Sequence, residues 1–590
     1  MHNKQTMILN SFLAFSILIS RTALSLPHSS KALMALSMML SPGTGFFLPA
    51  GMQSQRNIAS DIIHPLQISS AAYKFRPLYY LPNQDIDGID QDLDIPKEVL
   101  QSRFLQRAIS HGVRSEYFLD TFNEEYNLEN RSLDFSGLMD LTSYSFVTID
   151  NDHSKDLDQA VYIEYDSMSK NYRVYYAIAD ASYFSAPGTS LDKEASERVF
   201  TTYLPGFDIP IFPRMISENL CSLFPEKKRR ALVIIMDFSA DGVMHSKSFE
   251  HAIIESKAQL SFRRVQEYYD QGEAHPFAKE EYSANLDHLR SLGKALVQRA
   301  KERGAVDFAF REVSIRPNDV QSYYAISENV RYIVEKYNEQ ISVSSNRAVA
   351  EYFRENSLNS IHRFHPSTTG EKLELARSKL RELNIPWSHD VDMQTFVEKL
   401  RSKCILNDIA KSIACRSNLK AKYSGQYEQR GHEGLKVPFY DHFTAPMRRY
   451  TDIINHRILL AHLKGEPVPY QSNSKKLPRY LRRSYLERYA SKANRARNRE
   501  EQVKRSIDDY VSSLLLLPVK DEYLTATIMY VNDRGVSIRI ENHPFDRWLS
   551  MDSLTMRTHS NIFTEGQSIV INFEESFKEG HWYLNPQCVL

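Results

Sequence analysis

From Tyr144 onward, apolar and polar positions alternate in short bursts: SFVTID, QAVYIEY and YRVYYAIADAS. Such β-branched and aromatic runs predict strands. RALVIIMDFSADGVMHSKSFEHAII continues the texture, and Asp241-Gly242 inside it predicts a tight turn. Between about Glu280 and Asn384, and again from Val391 to Lys420, the period becomes helical. Residues 475–505 are basic with helical character. After Pro518 strands return in YLTATIMYVNDRGVSIRIEN, GQSIVINFEE and HWYLNP. Residues 60–130 are polar and irregular, except for a helix-like piece from Pro96 to about Asn127. No solenoid period is present.

Length and composition refine this picture a little. A chain of 590 residues exceeds one ordinary core, so two or more domains are expected. Apolar content of 42% and charged content of 25% are those of a globular protein. Acids and bases balance at 73 each, so any nucleic-acid site must come from local segregation of charge. Cys221, Cys404, Cys415 and Cys588 are far apart and form no disulfide framework or zinc spacing. The N-terminus differs from the rest. Met7–Ile19 is an apolar run behind Lys4, and Ala32–Ala50 is a second one, broken by Pro42 and Gly43. Two readings stand: an export or organelle leader, or translated upstream sequence with a start near Met52.

The segment TIDNDHSKDLDQAVYIEY holds the candidate chemistry. Asp150, Asp152, Asp156 and Asp158 crowd the mouth of a predicted hairpin. Asp156 and Asp158, two apart in extended chain, point to the same side. Carboxylates brought so close repel unless a cation lies among them. Hard oxygen ligands on a loop suit Mg²⁺ or Mn²⁺. Taken alone, such a loop reads first as a solvated turn. DIDGIDQDLDIP (85–96) does read that way, because Gly88 and Pro96 break the calcium-loop pattern.

The wider sequence bears on the choice. FVTIDNDHSKDLDQAVYIEY resembles the TID and DxDDA signature of the RNase II/RNase R (RNB) exoribonuclease family. The likeness continues through YAIADASYF, LDKEA, YLPGFDIPIFPRMISENLCSL, RGAVDFAF, NEQISVSSNRAVA and YDHFTAPMRRYTDIINHRIL, in order, over roughly residues 135–465. The resemblance implies an α+β fold: an RNB-type catalytic domain, a mixed sheet with surrounding helices, joined to a C-terminal OB-fold β-barrel. It implies a metal-dependent hydrolase that shortens single-stranded RNA from the 3′ end to nucleoside 5′-monophosphates. Asp158 and Asp156, with Arg448 of FTAPMRRYTD, fall on the catalytic positions. Asp150, Asp156, Asp158 and Gln159 fall on those of the metal, Mg²⁺ or Mn²⁺. Gln159 stands where the family has a fourth aspartate, so a catalytically weak or inactive RNB-fold RNA-binding protein is the competing reading. Tyr203, Phe308, Glu339 and Arg449 match RNA-binding positions. His442 and His456 read as structural.

The same resemblance divides the chain. Residues 1–55 read as leader or disordered N-terminus, and 56–134 as a front region with reduced or absent cold-shock barrels. The RNB domain spans 135–470, a basic helical arm 471–518 and the barrel 519–590. The family expectation is a monomer with single-stranded RNA as partner and no membrane partner for the mature chain. The expected compartment is the cytoplasm, or an organelle or the exterior should the leader be genuine.

Overall fold

The computed structural model describes residues 91–588, apart from residues 94, 311, 319–322, 330, 401–403, 427–430, 552–562 and 579–580. Both apolar N-terminal runs therefore lie outside the described residues. The first elements are a short strand, β1 (Gln91–Leu93), and two helices, α1 (Lys97–Ser110) and α2 (Leu119–Glu129). The sequence pattern predicts one helix over this stretch. Gly112 breaks it: at φ +83 it sits in the left-handed region, where a helix ends readily.

The central sheet is made of β2 (Met139–Asp140), β3 (Phe146–Asp150), β4 (Gln159–Asp166), β5 (Asn171–Ala179), β8 (Lys228–Ser239) and β9 (Met244–Ser261). Between β5 and β8 lie α3 (Ser190–Arg198) and a small hairpin, β6 (Thr202–Leu204) and β7 (Phe207–Ile209). The sheet is mixed: β3 runs parallel to β9, and the β4, β5 and β8 pairings are antiparallel. The long β9 serves both ends. Its first part pairs with β8, and Ser256–Ser261 pair with β3, so the strand order closes on itself. The turn joining β8 to β9 is the one Asp241-Gly242 predicts, with Gly242 at φ +83.

Helices α4 (Phe262–Gln271), α5 (Ser283–Glu302) and α6 (Ile333–Glu355) pack beside this sheet. The predicted helical block is interrupted by a hairpin, β10 (Val313–Asn318) and β11 (Tyr323–Glu328), which pairs with β1. Short strands β12 (His362–Phe364) and β13 (Lys422–Ser424) flank α7 (Gly370–Glu382), α8 (Met393–Lys399) and α9 (Ile405–Ser417). Next comes α10 (Tyr450–Leu463), whose residues from Tyr450 to Leu459 are all buried. A helix buried all round is a core element, and its polar members are therefore all bonded partners of something else.

The last helix, α11 (Ser484–Leu516), has 33 residues, roughly 50 Å at 1.5 Å each. Leu486, Tyr489, Ala490 and Ala493 join the main core. Val503, Ile507 and Val511 join a second cluster with Leu100 and Phe104 of α1, and Leu516 reaches a third. That third cluster is the interior of the C-terminal barrel, β14 (Leu524–Asn532), β15 (Gly535–Ile540), β16 (Asp546–Ser550), β17 (Ser568–Lys578) and β18 (His581–Cys588). Its order, β16-β15-β14-β17-β18 with β16 approaching β18, is the OB-fold arrangement, nearly closed. Among the described residues no helix is long and apolar enough to cross a membrane.

The α5–α6 contact carries a prediction. A Cβ on Gly293 would lie 2.4 Å from Cγ of Tyr337 on α6. Gly293→Ala gains about 1 kcal/mol of helix propensity, but overpacking against the root of a ring costs about 1–3 kcal/mol. The variant should unfold at lower urea concentration with an unchanged m-value. A higher midpoint would show that the two helices are not held this tightly.

Candidate active site

The acid loop is set by its one apolar member. Leu157 is 1% exposed, its N–H donates to Ser222 Oγ, and its carbonyl accepts from Leu223 N–H. With Leu157 turned inward, Asp156 and Asp158 project together on the other side. Ser222 Oγ also donates to Lys155 O, and Gln259 Nε2 donates to Ser154 O at 2.7 Å, so both flanks are pinned. Asp150 ends β3 and accepts from Asn151 N–H and from Ser154 Oγ at 2.9 Å.

Opposite lies the segment Phe443–Arg448. Asp158 meets it with both oxygens: Oδ1 accepts from Met447 N–H at 2.9 Å, and Oδ2 from Arg448 Nε at 3.3 Å. Asp158 is buried, whereas the Arg448 side chain is 43% exposed. Asp158 thus fixes the arginine from below while the guanidinium opens to solvent. Its remaining donors have no protein acceptor among the described residues. Tyr203, half-exposed, lies in the field of Arg448, Asp156 and Asp158.

Burial dominates the electrostatics. It pushes Asp158 up to about 7, against the opposing pull of Arg448 and with added repulsion from Asp156. Asp156 rises to about 6, again through burial, with Asp150 and Asp208 adding repulsion. Burial works against the charge on Arg448, but Asp158 foremost among the surrounding groups raises its pKa above the ordinary arginine value. One guanidinium therefore does not neutralise the acids around it.

The other sequence-predicted residues have distinct surroundings. Arg449 turns away from solvent, and its Nε and Nη2 both donate to Asp452 Oδ2, at 3.0 and 2.7 Å. Glu339 on α6 is paired with Arg331 and half-exposed. Phe308 stacks on Phe310, with centroids 5.5 Å apart and planes at 7°, at the edge of the cluster containing Trp387. His442 receives a hydrogen bond from Tyr423, and burial drives its pKa far down, so it is neutral. His456 is fully buried and bonded to Phe443 O. Gln159 has both ends of its amide engaged: Nε2 donates to Thr444 O at 2.6 Å, and Oε1 accepts from Tyr176 Oη.

Two participants were not singled out from sequence. Asp208 lies opposite Tyr203 in the β6–β7 register and holds Arg214 at 2.6 Å. The tight turn at Gly206 puts them across from one another, a signal that LPGFD does carry. Tyr176 gives no sequence signal, being one tyrosine in a tyrosine-rich strand.

The donor set fits a hard divalent cation. It is all oxygen, and burial with repulsion from neighbouring acids raises both inner carboxylates despite Arg448 beside Asp158. Among the described residues no three Asp, Glu, His or Cys side chains converge as a complete cage.

Fold and site together define an α+β core in which a buried aspartate anchors a solvent-open arginine, followed by an OB-type barrel. The RNB domain model matches residues 138–465, and the chain belongs to that family. Ribonuclease R of Escherichia coli (strain K12) is 28% identical over 427 residues, covering 71% of this chain and 52% of that relative. The chain thus spans about half the length of the curated relatives it matches. Mycoplasma genitalium ribonuclease R, solved with ribose-methylated single-stranded RNA, superposes with TM-score 0.72 at 23% identity over 82% of this chain and 78% of that one. A yeast pseudonuclease shares the fold with TM-score 0.56 at 17% identity, over 71% and 51% of the two chains.

The raised pKa of Asp158 sets a pH dependence. A carboxyl with a folded pKa above its unfolded value binds its proton more tightly in the native state. Its contribution is favourable at low pH and is lost as pH rises from about 4 to about 7. In EDTA at pH 8, Asp158→Asn should therefore be more stable than wild type, by at most about 4 kcal/mol. At pH 4 the two should melt alike. Urea unfolding at both pH values measures this, and an Asn variant less stable at pH 8 would refute it.

Proposed function

We propose that the chain is a divalent-metal-dependent 3′–5′ exoribonuclease that hydrolyses single-stranded RNA to nucleoside 5′-monophosphates. The observation carrying this reading is Asp158, which holds Met447 N–H and Arg448 Nε at once beside a second, half-buried acid. A phosphodiester gathers negative charge on its non-bridging oxygens as water attacks. Arg448, anchored through Nε and open to solvent, has its other donors free to meet those oxygens, and a fixed guanidinium stabilises developing charge without reorganising. Asp156 and Asp158, with Asp150 behind them, would hold Mg²⁺ or Mn²⁺. When bound, that ion supplies Lewis-acid stabilisation and an acidified water.

Tyr203 offers its exposed ring to a terminal base, a contact that tolerates any base and so suits stepwise shortening. Phe308, with Phe310 on its face, offers a second ring. Glu339 and Arg449 complete the RNA-binding set in this reading. Their pairing with Arg331 and Asp452 means that Glu339 must exchange partners to meet a ribose hydroxyl, while Arg449 acts by holding its loop. We take residues 135–470 as the catalytic domain and 519–590 as a barrel that receives RNA. Of the front region, 56–134, residues 56–90 lie outside the described residues, and the rest carries α1 and α2. A monomer in the cytoplasm accords with this assignment.

A second reading, a catalytically weak or inactive RNA-binding member, is favoured by one observation: Gln159 replaces an acid of the family signature. The yeast neighbour, a pseudonuclease, illustrates that the fold alone does not decide activity. A 5′-labelled oligo-adenylate incubated with protein and Mg²⁺ separates the readings. Progressive shortening from the 3′ end, at least 10³-fold slower in Asp158→Asn, supports the nuclease. Bound but intact RNA supports the binder.

Two variants grade the roles. Arg448→Lys keeps charge but loses the planar fork, and the cleavage rate should drop about 10²–10³-fold, the scale for one transition-state donor. Tyr203→Ala should weaken binding of a short single strand by about 1–3 kcal/mol, read from fluorescence anisotropy in EDTA. Unchanged affinity would remove Tyr203 from the RNA path.

A further inference from the structure

We infer that Gln159 is a positioning residue and not a metal ligand: it is the neutral tie that holds the Arg448 segment against the sheet. The inference rests on the nuclease reading for its consequence, but on geometry for its content. Gln159 neighbours Asp158 at the start of an extended strand, so its side chain leaves the backbone on the opposite side. There the amide is used at both ends. Nε2 donates to Thr444 O, and Oε1 accepts from Tyr176 Oη, which also bonds Ser342 Oγ at 2.7 Å on α6. The amide cannot be turned over. Thr444 O only accepts, so a turned amide would set Oε1 against it. The carbonyl that would bind a cation is thus directed at β5 and α6, while the acid pair faces Arg448.

The tie falls where it matters. Thr444 is four residues before Arg448, and its carbonyl has no other partner among the hydrogen bonds of the described residues. An aspartate at 159 would be one methylene shorter. It would also set a carboxylate against the Thr444 carbonyl with no proton to share. The glutamine is therefore chemically matched to its neighbours, and the missing acid is not simply a defect. The charged and titratable groups around it are Tyr176 on β5, Asp158 just before its own strand, Asp150 at the end of β3 and Arg448 across the gap.

Gln159→Glu in the full chain is the test, because it keeps the shape, adds a possible ligand and removes the donor. Mn²⁺ binding followed by electron paramagnetic resonance should give a dissociation constant within about threefold of wild type. On single-stranded RNA, kcat should fall about 100-fold, the scale of a 1 Å misplacement, with KM within about threefold. Mn²⁺ bound tenfold more tightly, or kcat at the wild-type level, would overturn the inference. Should the glutamate variant fail to fold, Gln159→Met keeps the reach without the hydrogen bonds, and the same three quantities decide. Should wild-type protein cleave no RNA, the nuclease reading fails separately. The tie is then judged by a lowered Tm in Gln159→Glu with Mn²⁺ affinity unchanged, and an unaltered Tm would refute it.

Discussion

The site depends on how one irregular segment, residues 443–448, satisfies its backbone. A chain that is neither helix nor strand has no regular partner for its N–H and C=O groups, and leaving them unpaired inside a protein is costly. Here side chains from several elements substitute. Asn346 on α6 accepts from Phe443 N–H, and His456 on α10 bonds Phe443 O. Gln159 takes Thr444 O, Asp452 takes Ala445 N–H, and Asp158 takes Met447 N–H. Thr201 N–H then donates to Arg448 O. Asn346, Asp452, His456 and Asp158 are all buried, an arrangement tolerable only because each is bonded. The segment is thereby fixed residue by residue, and Arg448 inherits that rigidity.

The same arrangement explains why two adjacent arginines differ. Arg449 finds Asp452 three residues on, at the first turn of α10, and folds down onto it. Arg448 meets only Asp158, through one nitrogen at 3.3 Å, and keeps the rest of its guanidinium outward. An arginine fully paired in the protein has little left for a phosphate. One held at a single point is positioned yet available. Asp158 consequently anchors both the backbone at Met447 and the Arg448 side chain, and burial together with repulsion from Asp156 outweighs the pull of Arg448 on its charge.

What sequence could reveal follows from the range of the interactions. The strands Phe146–Asp150, Gln159–Asp166 and Asn171–Ala179 and the Asp241-Gly242 turn are written in local texture and were legible. The break at Gly112 is also local, but a single glycine inside a helical pattern does not announce its φ. The β10–β11 hairpin was hidden because its partner β1 lies more than 200 residues away, and alternation over six residues is lost in a long helical window. Asp156, Asp158 and Arg448 were reached through the family resemblance; charge spacing alone gave a solvated turn. Tyr176 and Thr444, which decide what Gln159 does, could not be reached at all. One is a tyrosine among tyrosines, and the other acts through a backbone carbonyl, which every residue has.

Tyr203 shows how the site depends on parts outside the central sheet. Its hairpin is not seated in the main core: Leu204 and Ile209 pack into the second cluster, among α1, β11 and the middle of α11. Tyr324 on β11 donates to Pro205 O at 2.8 Å, and a Cβ on Gly206 would lie 2.6 Å from the same hydroxyl, so the turn is clamped. Arg448 is set by the sheet and α10, whereas the ring facing it is set by α1, β11 and α11. A direct tie joins the two, since Thr201 N–H, two residues before Tyr203, donates to Arg448 O, and the element common to both clusters is α11. Its alanines at 490, 493 and 496 let it lie close to the main core, and Gly425 crosses its first turn with no room for a Cβ, 2.3 Å from Glu487 N. Close backbone packing of that kind leaves little freedom to slide. The long helix thus braces both clusters, and it ends in the barrel interior at Leu516.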